Sequence, residues 1–242
     1  MWIKEFLRKL ILSESYNSDT FIEYLRKQGV RIGEATTIYR PRKTYIDMTR
    51  PYLIEIGDRV KITEEVTILT HGFDWSVANG MYGDILGSAG KVKIGNNVFI
   101  GMKTTILKGV TIGDNCIIGA NSLINHDVPS NSVVGGVPAR VLCSVDDYVK
   151  RQRSHQAYEA KQMAIEYKKV YHRNPPIDEF AEFFWLFDKR SEGKFSSNRF
   201  DEMMKINGNQ LLSERLYDTT NRQFEDYKSF LDWCYQDEDK SL

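Results

Sequence analysis

The sequence predicts a mainly β fold, a three-sided parallel β-helix flanked by an N-terminal helix and a C-terminal α-helical extension. Three observations carry this reading. Isoleucine recurs every six residues, a 20-residue insert holding four glycines separates two runs of that repeat, and the pattern turns helical after about residue 143.

The repeat comes first. Ile56, Ile62 and Ile68 open the segments IGDRVK, ITEEVT and ILTHGF. Ile94, Ile100, Ile106, Ile112, Ile118 and Ile124 open six consecutive hexads. Their fifth positions, Val98, Thr104, Val110, Cys116, Ser122 and Val128, are small or β-branched. A period of six matches neither a helix at ~3.6 nor an alternating strand at 2. It matches a coil with three short flat sides, isoleucine pointing inward and Gly or Asn turning the corners. Residues 56–73 make one coil and 94–129 two more, stacked like parallel strands about 4.8 Å apart. Ile32 and Ile38 indicate a partial coil upstream, whose register loosens through RPRKTYIDMTRPYL.

Residues 74–93 form the insert. Complete coils flank it, so it leaves and re-enters at a corner, and a long loop on a rigid scaffold is a place for function. After residue 143, Ser144 and Asp147 form a capping box opening a helix that runs to about Tyr171 and stops at Asn174-Pro175-Pro176. Phe180, Phe183, Phe184 and Phe187 follow at i, i+3, i+4, i+7, predicting a helix with one aromatic face for core or subunit contact, the alternative being a sugar-stacking platform. Short helices are expected over 198–205 and 221–235. The expected organisation is an N-terminal helical segment (1–29), the β-helix (30–143) and the helical extension (144–242).

Composition sets outer limits. The 242 residues carry 33 Lys+Arg and 33 Asp+Glu, a net charge of zero, which argues against nucleic-acid binding driven by bulk charge. Hydrophobic residues at 41% and aromatics at 12% suffice for a packed core. Three scattered cysteines argue against a disulfide framework and for a reducing, cytoplasmic setting. In MWIKEFLRKLIL, charged residues interrupt the apolar ones, which fall at helical spacing, so the segment reads as an amphipathic helix packing on the protein's own body, the alternative being peripheral membrane contact. No apolar run approaches the ~18 residues of a spanning helix.

The fragments ILTHGFDW (68–75) and IGNNVFIGMKTTILKGVTIGDNCIIGANSLINHDVPSNSVVGGVPARVL (94–142) resemble the hexapeptide-repeat acyltransferases, in particular the maltose, galactoside and xenobiotic O-acetyltransferase branch. Repeat, loop position, histidine and the terminal GVPAR all agree. The resemblance implies a left-handed parallel β-helix, although crossovers between parallel strands are otherwise almost always right-handed. It also implies acetyl-CoA as co-substrate, no metal, and a homotrimer with sites between subunits.

It further implies roles for single residues. His71 corresponds to the general base, and imidazole suits proton abstraction near neutral pH. Asp74 and Trp75 fall where the acceptor binds, Asp74 touching an acceptor hydroxyl or orienting the imidazole. Met102 and Ala120 match positions lining the pantetheine arm. Asn125 and His126 replace a Thr-Lys pair, and Arg140 of GVPAR matches an arginine that meets the CoA phosphates. The expected activity is O-acetylation of a sugar hydroxyl on a surface polysaccharide or its precursor. The alternatives are N-acetylation of an amino sugar or antibiotic-type acceptor, and a non-catalytic β-helix scaffold. A calcium loop at Asp188 is excluded, because Arg190 and Arg199 stand at ligand positions 3 and 12.

Overall fold

The computed structural model describes residues 17–236, so the expectation for the first twelve residues lies outside the described part. The chain divides into two compact units, Met1–Tyr148 and Val149–Leu242. In the first, helix α1 (Ser18–Lys27) is opened by Asn17, whose side chain accepts from Thr20 N, and buries Ile22 and Leu25.

After α1 the described part of this unit is built on a parallel coil with three faces. Face one stacks β1 (Arg31–Ile32), β4 (Ile54–Ile56), β7 (Val92–Ile94) and β10 (Thr111–Ile112). Face two stacks β2 (Thr37–Ile38), β5 (Lys61–Ile62), β8 (Phe99–Ile100), β11 (Ile117–Ile118) and β13 (Ser132–Gly136), and β14 (Ala139–Ser144) folds back antiparallel on β13. Face three stacks β3 (Tyr45–Ile46), β6 (Thr67–Ile68), β9 (Thr105–Ile106) and β12 (Leu123–Ile124).

Register locks each isoleucine onto the one a coil away, as in Ile62 with Ile100 and Ile68 with Ile106. All nine repeat isoleucines are buried. Each contributes roughly 1.5–3 kcal/mol by leaving water. The core is therefore an aliphatic stack with one layer per coil.

Two features depart from the expected pattern. The upstream coil is complete, because Ile46 supplies its third side. A 3₁₀ turn at Pro41–Lys43 and another at Pro51–Leu53 add residues at the corners, which hides the period of six. The corners also use more than Gly and Asn. Ala35, Arg59, Glu65 and Lys103 adopt positive φ alongside Asn97, Asn115, Asn121 and Asn131. On the edge between faces one and two the asparagines form a ladder, Asn97 Nδ2 donating to Asn115 Oδ1 at 2.8 Å and Asn115 Nδ2 to Asn131 Oδ1 at 3.0 Å. Asparagine tolerates this conformation best among residues with a Cβ.

Helix α3 (Val145–Tyr171) starts where expected. Asp147 N donates to Ser144 Oγ at 3.1 Å and Ser144 Oγ donates to Asp147 Oδ2 at 2.6 Å. In the second unit its alanines Ala157, Ala160 and Ala164 are buried in an aromatic core. The segment expected as one aromatic helix is instead two 3₁₀ turns, Ile177–Phe180 and Phe184–Leu186. Tertiary packing overrides the periodicity here. Phe184 stacks on Phe200 at 4.6 Å and Phe187 on Phe230 at 5.1 Å, so the aromatics are buried from several directions. Helix α4 (Asn198–Lys205) lies where expected. The sequence reading missed α5 (Gln210–Thr219), and α6 (Tyr227–Tyr235) begins six residues later than expected.

Candidate active site

The edge between faces three and one carries the site. Asp47 directly follows β3, and its backbone N–H donates to Ile68 O at 3.0 Å, which fixes it against the end of β6. Three residues past β6 comes His71. The coil thus brings together two residues 24 positions apart, with Asp47 Oδ2 lying 2.5 Å from His71 Nδ1.

Asp47 is buried and fully engaged. Thr70 donates to Oδ2 through its backbone N–H at 3.0 Å and its hydroxyl at 2.6 Å. Thr49 donates to Oδ1 through its backbone N–H at 3.0 Å and its hydroxyl at 2.7 Å. Burial pushes the carboxyl upward, but these hydrogen bonds to the ionised form outweigh it and hold Asp47 well below the usual carboxylate range. An ionised carboxylate facing Nδ1 keeps the ring proton on that nitrogen and leaves the lone pair on Nε2. The His71 side chain is 30% exposed, so the ring bridges buried anion and solvent. An imidazole so placed is able to accept a proton at Nε2, with Asp47 there to offset the charge of the imidazolium.

The insert closes over the same edge. His71 bridges Ala89 in antiparallel fashion, Gly72 N donates to Ser88 O at 3.2 Å, and Gly90 N donates to Thr70 O at 2.9 Å. Exit and re-entry are therefore adjacent. Gly90 lies so close to Gly109 that a Cβ would stand 2.6 Å from the Gly109 nitrogen, so only glycine permits the re-entry. Between these ends runs α2 (Ser76–Tyr82), stopped by Gly83 at φ +79°. The loop carries an open depression of about 480 Å³ lined by Asp74, Trp75, Met81, Tyr82 and Leu86. Trp75 packs edge-on against Phe73 at 5.0 Å. Asp74 is exposed and tucks against Gly72, and the carboxylate that meets the imidazole is Asp47 rather than Asp74.

The other expected residues fall on two edges. Asn125 and His126 follow β12 on the same edge as Asp47 and His71, with His126 Nδ1 2.7 Å from Asn125 Oδ1. Met102 and Ala120 stand at successive coils of the edge between faces two and three, joined by Asn121 N donating to Met102 O at 2.8 Å. Gly101 packs tightly beneath Ala120, a Cβ there meeting the Ala120 nitrogen at 2.5 Å. Arg140 pairs across with Gly135 at the end of face two, is exposed, and donates from Nη1 to Ala139 O at 2.8 Å. Met102, Ala120 and Arg140 thus lie along one side of the coil, and face three separates them from His71.

Asp47 and Thr49 escaped the sequence reading. They occupy TYIDMTRP, where extra corner residues break the period. The available signal was the alignment of YID with TIL one coil on, which the pairing of Tyr45 with Thr67 realises. Among the described residues no group of three or more His, Cys, Asp or Glu gathers as for a metal, and no helix is long and apolar enough to cross a membrane.

Comparison with known proteins bears on this geometry. Residues 91–126 match the model of the bacterial transferase hexapeptide (six repeats) family. Protein CapG of Staphylococcus aureus is 37% identical over 148 residues, 61% of this chain and 84% of that protein. Galactoside O-acetyltransferase of Escherichia coli (strain K12) is 41% identical over 96 residues, 40% of this chain and 46% of the relative, so the match spans about half of that enzyme. A hexapeptide-repeat acetyltransferase of Vibrio cholerae O1 biovar eltor, solved with acetyl coenzyme A, is 29% identical, with a TM-score of 0.35 over 48% of this chain and 60% of that one.

Proposed function

This chain belongs to the bacterial hexapeptide-repeat transferase family, and from that membership we propose that it is an acetyl-CoA-dependent O-acetyltransferase acting on a sugar hydroxyl of a surface polysaccharide or its precursor. The observation that carries the reading is the imidazole of His71 held by the buried, ionised Asp47, with Nε2 turned away from it. A scaffold has no use for that pair. The galactoside O-acetyltransferase of E. coli supports the acceptor class.

The co-substrate supplies an activated acetyl thioester. His71 Nε2 takes the proton of the acceptor hydroxyl as its oxygen bonds to the acetyl carbon. As the carbon–sulfur bond breaks, the same proton passes from Nε2 to the departing sulfur, so the imidazole is regenerated. Asp47 keeps Nδ1 protonated throughout and offsets the transient positive charge. Met102 and Ala120 offer the backbone of one edge to an extended pantetheine chain, and the exposed guanidinium of Arg140 suits the phosphates beyond it. Asn125 and His126 extend the edge that carries His71, and Asp74 and Trp75 hold the acceptor from the insert.

The coil is left-handed in this reading, as in the family, and three chains form a homotrimer. The insert supports assembly, since Val77, Met81, Tyr82, Ile85 and Leu86 are more than half exposed on it and await a covering surface. The three free cysteines suit the cytoplasm.

The test is release of free thiol from acetyl-CoA with galactosides, maltose and amino sugars as acceptors. Turnover on a sugar hydroxyl is expected, with His71→Ala losing at least ~10²-fold while still binding acetyl-CoA. Near-normal turnover by that variant overturns the role of His71. Acetylation confined to amines overturns the acceptor class.

A further inference from the structure

The second unit contains a preformed cavity that the acetyl-transfer reading does not use. Its volume is about 610 Å³, within the ~300–1,000 Å³ of small-molecule sites. The wall is Trp185, half-buried and held edge-on by Phe184 at 6.3 Å and by Tyr217 at 5.5 Å. That contact locks the indole plane without consuming all of its surface.

Opposite chemistry comes from the segment after α5. Arg222 and Phe224 anchor it to the core. Arg222 Nε donates to Asp188 O at 3.0 Å, Nη2 donates to Tyr217 O at 2.7 Å, and Phe224 N donates to Leu186 O at 2.9 Å. The intervening residues Asn221 and Gln223 are exposed and line the cavity. Gln156 of α3 lines it too, half-buried. None of these three side-chain amides has a hydrogen-bond partner among the described residues. Charge is balanced, with Arg153 and Glu182 as the two ionic groups at the lining.

These features select a ligand class. Primary amides offer donors and acceptors together, which hydroxyl groups require. An aromatic wall accepts the C–H face of a pyranose ring. Balanced charge favours a neutral ligand over an anionic nucleotide or a cationic peptide. Ala181, Leu186, Met203, Met204 and Leu216 also line the cavity, so the site is amphipathic, and its exposed amides match hydroxyl groups that a fatty chain lacks. We propose that the cavity beside Trp185 is a binding site for neutral oligosaccharide, formed by Trp185, Gln156, Asn221 and Gln223 and independent of the acetyl-transfer chemistry.

The experiment uses the full-length protein carrying His71→Ala, Asp74→Ala and Trp75→Ala, without acetyl-CoA, so that the sugar site proposed at the insert is removed and the outcome does not depend on the enzyme reading. Maltotetraose, cellotetraose and chitotetraose are titrated by saturation-transfer NMR, with decanoate as the apolar control. At least one oligosaccharide is expected to bind. Asn221→Ala combined with Gln223→Ala, both exposed, is expected to weaken that binding at least ~10-fold with unchanged circular dichroism. Trp185→Phe is expected to weaken it less than Trp185→Ala. Failure of all three oligosaccharides to bind overturns the proposal, as does binding that the double variant leaves intact. Decanoate binding that only the Trp185 variants reduce assigns the cavity to an apolar ligand and likewise overturns it.

Discussion

His71 Nδ1 lies 2.5 Å from Oδ2 of Asp47, a carboxylate with no solvent exposure. The pair joins consecutive coils, and the whole hydrogen-bonding capacity of Asp47 is spent on Thr49, Thr70 and this ring.

Asp47→Asn should therefore depress turnover strongly while leaving substrate binding nearly untouched. The amide keeps the size of the carboxyl but removes the charge that fixes the ring tautomer. The expected loss in kcat is about 10²-fold or more, with little change in KM. A loss confined to KM would show that Asp47 does not act through His71.

The depressed Asp47 carboxyl also sets an acid limit on folding. A group whose folded value lies below its unfolded value stabilises the fold fully above the unfolded value and loses that contribution as pH falls toward the folded one. The unfolded value is about 3.9. The stability difference between the native protein and Asp47→Asn should thus not decrease as pH falls from 8 to about 5, and should shrink only below pH ~4. Denaturant titrations across that range measure it, and a difference that decays near neutral pH contradicts the assignment.

The thiols should divide into two classes. Burial pushes Cys234 up to about 12 and also raises Cys116, so both stay protonated and covered. Cys143 is half-buried on β14. Brief alkylation of the native protein at pH 8, read by peptide mass spectrometry, should modify Cys143 first. Cys116 and Cys234 should react only after unfolding.

Arg59 should be improvable. It holds φ at +55° on the same edge as the asparagine ladder, one coil before Asn97. Arg59→Asn should relieve part of a left-handed cost of ~1–2 kcal/mol. The expected gain is about 0.5–1 kcal/mol, seen as a rise in the thermal midpoint. An unchanged or lower midpoint would mean that the Arg59 side chain supports the corner in some other way.

The sequence alone determined the solenoid. A six-residue isoleucine period admits one geometry, because each isoleucine must meet the same core axis once per side, and Ile56 through Ile124 do so. It also determined the helix from Val145, through a local cap, and the position of the insert, through the break in the period. Tertiary structure alone decided what the period could not encode. The first coil closes through Ile46 despite irregular corners, and the phenylalanines from Phe180 to Phe187 settle into 3₁₀ turns because partners surround them. Asp47 became the partner of His71 for the same physical reason. Its contact is set by stacking of coils, at a separation of 24 residues, and local sequence carries no record of which corner residues a neighbouring coil will meet.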